Sequence, residues 1–290
     1  MPMTEPRLRH VSCLDTKGLH RMAYWEWGDP ANRRVLVCAH GLSRQGRDFD
    51  TLAAALSPNY RVVCPDVVGR GQSDWLTDPM GYIIPAYVAD MVTLLARLDA
   101  DFVDWVGTSM GGLIGLAVAA LKGSPLRRLV LNDVGPTIEP VSLARIGAFL
   151  GQPAHWASLD AAADALWAIS QGFGPHSPAQ WLALSRPQLV AEGSGFKPHC
   201  DPAIAVPFRL ITPELAKFGE AALWQAYDSL SLPTLLLRGA DSDLLSPATA
   251  EAMTGRGPRA RLVQFPGVGH APTLVQADQV RAVSEFLLSP

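Results

Sequence analysis

Apolar residues in this chain fall into short unbroken runs, and stretches of helical period separate one run from the next. Arg34–His40 (RVLVCAH), Tyr60–Asp66 (YRVVCPD), Phe102–Gly107 (FVDWVG), Arg128–Asp133 (RLVLND), Pro233–Arg238 (PTLLLR) and Arg261–Phe265 (RLVQF) are too short for helices. They are also too continuously apolar for half-exposed strands, which is how strands buried on both faces of a parallel sheet read. Residues 21–27 (RMAYWEW) alternate instead and stop at Gly28-Asp29-Pro30, a strand closed by a turn. Ile84, Tyr87, Val88, Met91, Leu94, Leu95 and Leu98 recur at helical spacing. Phe49–Leu56 with Asp48 as its start signal, Leu113–Leu121, Pro247–Met253 and Gln276–Leu288 read as further helices. Strands alternating with helices predict a parallel sheet joined by right-handed crossovers.

The rhythm fails between 136 and 228. That stretch holds helical patches, many Pro and Gly breaks, and Trp156, Trp167, Trp181 and Trp224. A mostly helical insertion in an α/β domain is predicted: core 1–135 and 229–290, insertion 136–228.

Composition narrows the function classes. At 290 residues, 48% hydrophobic and 18% charged, the chain is long and apolar enough to bury a sizeable core. A net charge of -3 supplies no basic field for nucleic acid. MPMTEPRLRH carries no apolar signal region and no segment nears the apolar length of a membrane span, so a cytoplasmic protein without a membrane partner is expected. Cys13, Cys38, Cys64 and Cys200 have no C-x-x-C spacing, and Cys38 and Cys64 read as small buried hydrophobes. No His/Cys/Asp spacing resembles a metal ligand set. Asp66-Val67-Val68-Gly69-Arg70-Gly71-Gln72-Ser73 contains a G-x-G but no third glycine, and no helix opens from it, so a dinucleotide site is not expected. Neither metal nor cofactor is anticipated, and oligomeric state is not legible.

The chemistry centres on Gly107-Thr108-Ser109-Met110-Gly111, a G-x-S-x-G between a buried strand and a helix. So tight a turn requires almost no side chain two residues either side of the serine, and it thrusts Ser109 out where a base can reach it. A serine hydroxyl is a poor nucleophile until a base takes its proton. Among the 7 histidines, His270 is the best base, because it follows the last strand in the Gly-rich loop Phe265–His270. His155, His176 and His199 lie in the insertion and could at most line a pocket.

Taken in order, His40-Gly41, Asp66-x-x-Gly69-x-Gly71-x-Ser73, Gly107-x-Ser109-x-Gly111, a helical insertion and Gly267-x-Gly269-His270 resemble the α/β-hydrolase superfamily over nearly the whole chain. The resemblance implies a mostly parallel eight-stranded sheet with helices on both faces and a cap inserted after the sixth strand. It implies that His40 braces its turn, and that Asp66 and Ser73 make structural backbone hydrogen bonds. The family usually carries its triad acid three residues after a glycine matching Gly239, where this chain has Ser242 flanked by Asp241 and Asp243. Some branches carry the acid at the end of the sixth strand, where this chain has Asp133. Asp133 is preferred because Ser242 takes the usual seat; Asp243 is the alternative, with Asp241 behind it. If Asp133 is the acid, Ser242 is expected to hydrogen-bond the imidazole.

The backbone N–H groups of Leu42 and Met110 are expected to hold the oxyanion. His40, Gly41, Trp156 and Trp181 are expected to bind substrate. The resulting expectation is a cofactor-independent serine hydrolase with a Ser-His-Asp triad. It would cleave a small or medium carboxylic ester through an acyl-enzyme. C–C, lactone or amide hydrolysis by the same residues stays open, as does a small-molecule receptor on the same fold.

Overall fold

The computed structural model describes residues 5–289. The chain runs through β1 (Arg7–Asp15), β2 (Gly18–Trp27), β3 (Val35–Ala39), α1 (Asp50–Leu56), β4 (Arg61–Pro65), α2 (Ile84–Leu98), β5 (Val103–Thr108), α3 (Met110–Ala119) and β6 (Leu126–Asn132). The insertion follows, with α4 (Pro140–Phe149), α5 (Leu159–Ser170), α6 (Pro178–Ser185), β7 (Leu189–Glu192), β8 (Gly195–Pro198), α7 (Ala205–Arg209) and α8 (Pro213–Asp228). Then β9 (Thr234–Gly239), α9 (Pro247–Gly255), β10 (Arg261–Phe265) and α10 (Ala277–Leu288) complete the core.

Eight strands form one sheet in the order β1-β2-β4-β3-β5-β6-β9-β10. From β4 to β10 the neighbours are parallel, and only the β1–β2 and β2–β4 pairs are antiparallel. The continuous apolar runs are explained by what covers them. Along β3, Val35, Val37 and Ala39 enter a layer shared with Met91 and Leu94 of α2 and Ile114 of α3. Leu36 and Cys38 enter the opposite layer with Leu52 of α1 and Val283 of α10. Alternate side chains point to opposite faces, so a strand with helices on both sides must be apolar throughout.

Three elements depart from the sequence expectation. The edge strand β1 was not anticipated, because most of its positions face solvent and leave little apolar signal. The insertion is not wholly helical: β7 and β8 form an antiparallel hairpin. Asp48 does not start α1, which begins at Asp50 after a short 3-10 turn. Its carboxylate instead pairs with Arg44, Oδ2 to Nε at 2.6 Å, and accepts from Gln188 Nε2 at 2.9 Å.

The loop after β4 is built on Asp66 and Ser73 as expected. Asp66 accepts the N–H groups of Gly46 and Gln72 at 2.7 and 2.9 Å, and Ser73 Oγ accepts from Ala23 N–H at 2.8 Å. This loop also meets the insertion. Gly71 N–H donates to His199 O at 3.0 Å and Asp201 N–H to Gly69 O at 2.8 Å, an antiparallel bridge between core and insertion centred on Arg70 and Cys200.

Candidate active site

Ser109 sits between the end of β5 and the start of α3 with φ 51° and ψ −118°, a backbone conformation that a non-glycine residue seldom adopts. Its neighbours permit the turn. A Cβ on Gly107 would strike the carbonyl of Gly111, and a Cβ on Gly111 would strike the carbonyl of Ala39. Both glycines are therefore steric requirements of the elbow.

His270, in the loop after β10, links two groups. Its Nε2 lies 3.0 Å from Ser109 Oγ, and its Nδ1 lies 2.7 Å from Asp133 Oδ2. Asp133 follows β6 and is completely buried. Its Oδ1 accepts the Gly239 N–H at 2.9 Å, and its Oδ2 also accepts the Ser242 hydroxyl at 2.6 Å. With Nδ1–H donating to Asp133, Nε2 is left as the acceptor facing Ser109. Ser242 thus bonds the carboxylate rather than the imidazole, while its Oγ accepts the Leu244 and Leu245 N–H groups, each at 3.2 Å.

The other acidic candidates line the cavity above Ser109, but among the described residues neither hydrogen-bonds His270. Asp243 is partly exposed and bidentate with Arg145 of α4, at 2.6 and 2.8 Å. Burial pushes its carboxyl up, but the Arg145 hydrogen bonds and charge outweigh this and hold it below the ordinary carboxylate value. Asp241 lines the cavity, with its own N–H committed to Val268 O at 2.9 Å.

His40 is fully buried. Its Nδ1 donates to Gly41 O at 2.7 Å and its Nε2 accepts the Val67 N–H at 2.9 Å, so the ring braces two loops. Burial pushes its pKa down to about 3, so the ring is neutral at ordinary pH. Beyond it, Gly41 lies close enough to Ser109 that an added Cβ would stand 3.7 Å from the serine Cβ. Among the described residues, the N–H groups of Leu42 and Met110 have no hydrogen-bond partner.

A cavity of about 800 Å³ opens above Ser109 and His270. His40, Gly41 and Leu42 line it from the core, and Ile146, Phe149, Trp156 and Phe173 line it from the insertion. Trp156 accordingly lines the cavity. Trp181 does not: its ring packs on Trp167 and Phe173, its Nε1 donates to Ala163 O at 2.7 Å, and it forms the insertion's own small core. The Met110 side chain is buried and also absent from the cavity wall.

Two contributors carried no recognisable sequence signal. Trp75 lines the cavity from the loop after Ser73. Asn132 donates to Thr108 Oγ1 at 2.9 Å and to Pro272 O at 2.8 Å, tying the nucleophile strand to the loop of His270. Away from the cavity, Cys13, His20 and Asp90 gather with ligand-type atoms within 4.8 Å of one another. Their sequence separation hid this cluster, in which His20 Nε2 and Asp90 Oδ2 lie 3.0 Å apart. Among the described residues no helix is long and apolar enough to cross a membrane.

Comparison with known proteins identifies the family. The profile of the alpha/beta hydrolase family matches residues 36–283. A 3-hydroxybutyrate-oligomer hydrolase of Cupriavidus necator is 53% identical over 285 residues, 97% of either chain. A pimeloyl-[acyl-carrier protein] methyl ester esterase of Xanthomonas campestris is 28% identical over 256 residues, 85% of this chain and 91% of that one. The crystal structure of an alpha/beta hydrolase from Novosphingobium aromaticivorans aligns with a TM-score of 0.86 at 34% identity, covering 98% of this chain and 99% of that one.

Proposed function

The chain belongs to the alpha/beta hydrolase family and is a hydrolase, and from that premise we propose that it cleaves the ester bonds of short 3-hydroxybutyrate oligomers through an acyl-enzyme on Ser109. One observation carries the chemistry: Ser109 Oγ, His270 and Asp133 lie in a hydrogen-bonded line at 3.0 and 2.7 Å, at the floor of the cavity. The substrate class is supported by the 53% identical relative, whose name states that activity. A cavity of about 800 Å³ is in the range that encloses a ligand of several linked units.

In this reading Ser109 Oγ attacks the ester carbonyl carbon while His270 Nε2 takes the hydroxyl proton. Asp133 fixes the tautomer and stabilises the imidazolium. The N–H groups of Leu42 and Met110 hold the oxyanion. Collapse of the tetrahedral intermediate expels the alcohol end of the neighbouring hydroxyacid unit, which receives the proton from His270. Water, deprotonated by the same imidazole, then attacks the acyl-enzyme and frees the acid. Residues 136–228 serve as the cap over this site, on a core of 1–135 and 229–290.

The test is chromatographic. Incubation with a 3-hydroxybutyrate trimer should release monomer and dimer, and Ser109→Ala should release neither above background. Turnover of p-nitrophenyl esters without attack on the trimer would overturn the substrate assignment. Failure on all esters, with no fluorophosphonate adduct on Ser109, would overturn the esterase reading in favour of a receptor. A lactone and a C–C substrate in the same panel would expose a different bond preference.

A further inference from the structure

Arg70 is fully buried, yet its guanidinium faces only neutral acceptors. Its Nε donates to Leu42 O at 2.8 Å, and Nη1 donates to Val68 O at 2.7 Å and to Tyr87 Oη at 3.0 Å. Its Nη2 meets Met110 Sδ at 3.7 Å, and the Tyr87 ring centroid lies 5.0 Å from the guanidinium carbon. No ion pair to Arg70 occurs among the described residues, and Asp201, the acid on this side, is engaged by the Tyr82 hydroxyl at 2.5 Å. Burying a cation without a counter-charge is expensive, and a methionine would fill similar space without that cost. A cation retained at such cost implies a use for its charge.

The contacts name the use. Leu42 and Met110 are the two residues whose N–H groups the reading above assigns to the oxyanion, and Arg70 touches both. We propose that Arg70 is a positioning residue of the acyl-transfer site. Through the Leu42 carbonyl it restrains the Leu42–Ser43 peptide, next to the Gly41–Leu42 peptide that carries the Leu42 N–H, and it fixes a positive charge behind the oxyanion hole. This rests on the serine-esterase reading above. His40 braces the same two loops through Gly41 O and Val67 N–H, so the turn is held from both ends. In a dry interior a fixed charge acts over several ångströms and needs no reorganisation as negative charge develops on the carbonyl oxygen. The tetrahedral intermediate is therefore favoured over the bound ester. The effect belongs on kcat rather than KM.

The experiment compares Arg70→Met, Arg70→Gln and Arg70→Lys in the full-length protein. It reads kcat and KM on a p-nitrophenyl ester, inhibition by a trifluoromethyl ketone that forms a hemiketal oxyanion on the serine, and Tm. For Arg70→Met and Arg70→Gln, kcat should fall about 10- to 100-fold, with KM changed by less than about threefold. The trifluoromethyl ketone should weaken in parallel with kcat. Arg70→Lys, which keeps the charge but not the fork, should recover part of both losses. Should Arg70→Met fail to fold, the Gln and Lys variants carry the same comparison. A folded neutral variant with unchanged kcat and inhibition would overturn the proposal. So would an equal loss in Arg70→Lys and Arg70→Gln that follows Tm alone. Undiminished turnover in Ser109→Ala would instead remove the underlying reading, whatever Arg70 does.

Discussion

Ser242 donates its hydroxyl to Asp133 Oδ2 at 2.6 Å, the same oxygen that lies 2.7 Å from His270 Nδ1. The two donors share one carboxylate oxygen, so the serine tempers how strongly that oxygen can attract the imidazolium proton. Ser242→Ala should leave the Oδ2 oxygen with the His270 ring as its one side-chain donor and loosen the hold of Asp133 on that ring. A loss in kcat of about tenfold is expected, since the Leu244 and Leu245 N–H groups also lose an acceptor. A lower Tm with unchanged kcat would show that the hydroxyl only holds the loop.

Replacing Asp133 with Asn should leave the chain folded and lower turnover by up to about 10⁴, because the amide favours the wrong tautomer of His270. Asp243→Asn should cost about tenfold or less, since that carboxylate is committed to Arg145. Steady-state kinetics on both variants check the assignment, and the reverse ranking would transfer the acid role to Asp243.

Ser109→Ala and His270→Ala should each reduce turnover by several powers of ten, and the double variant should lose little more than either. The 3.0 Å contact between them makes the pair one proton-transfer unit. Multiplicative losses in the double variant would mean that His270 works elsewhere.

His40 sets an acid limit on stability. Its pKa is about 3 in the folded chain and near 6.5 when unfolded, so the unfolded state binds more protons between those values. Stability tied to this ring is complete above the unfolded value and falls as pH drops below it. The loss is about 2 kcal/mol by pH 5. Asp66, pushed up by burial to about 6, titrates in the opposite sense and partly offsets the slope. Urea unfolding of the wild type and His40→Asn at pH 7.5 and pH 5 isolates the term, because the variant should lose about 2 kcal/mol less over that interval. Equal losses would contradict the neutral buried ring.

The two tryptophans should separate cleanly. Trp156→Ala should change KM for oligomeric substrates while leaving Tm nearly fixed, since its ring faces the cavity. Trp181→Ala should cost about 3 kcal/mol or more of stability, as removal of a buried aromatic does. Thermal melts beside substrate titrations distinguish the roles, and a KM effect at Trp181 with unchanged Tm would return it to the cavity wall.

What could be read from the chain follows from where burial leaves a mark. Strands such as Val35–Ala39 and Thr234–Gly239 are buried on both faces, so their apolar runs stand out. Arg7–Asp15 is an edge strand with mostly exposed positions, and its pattern merges with that of a loop. Ser109 was legible because the turn's steric demand dictates both neighbouring glycines. The acid was ambiguous for a different reason. Asp133, Asp241 and Asp243 all follow sheet strands, and the choice between them depends on side-chain direction, which spacing does not encode. Trp156 and Trp181 differ in the same way, by the facing of segments within an insertion that has no regular period. Arg70 left no trace at all, because a buried arginine and a surface arginine are one letter.

The bridge between residues 69–71 and 199–201 is made by main-chain atoms, Gly71 N–H to His199 O and Asp201 N–H to Gly69 O. Such a seam asks only that the insertion run extended at that point, and it constrains few side chains there. Substitutions at cavity-lining positions such as Ile146 and Phe149 can therefore reshape the cavity while this seam, Gln188–Asp48 and Arg145–Asp243 keep the insertion's registration on the core. A change of substrate preference then becomes a matter of side-chain replacement, with no need to re-dock the segment that carries the side chains.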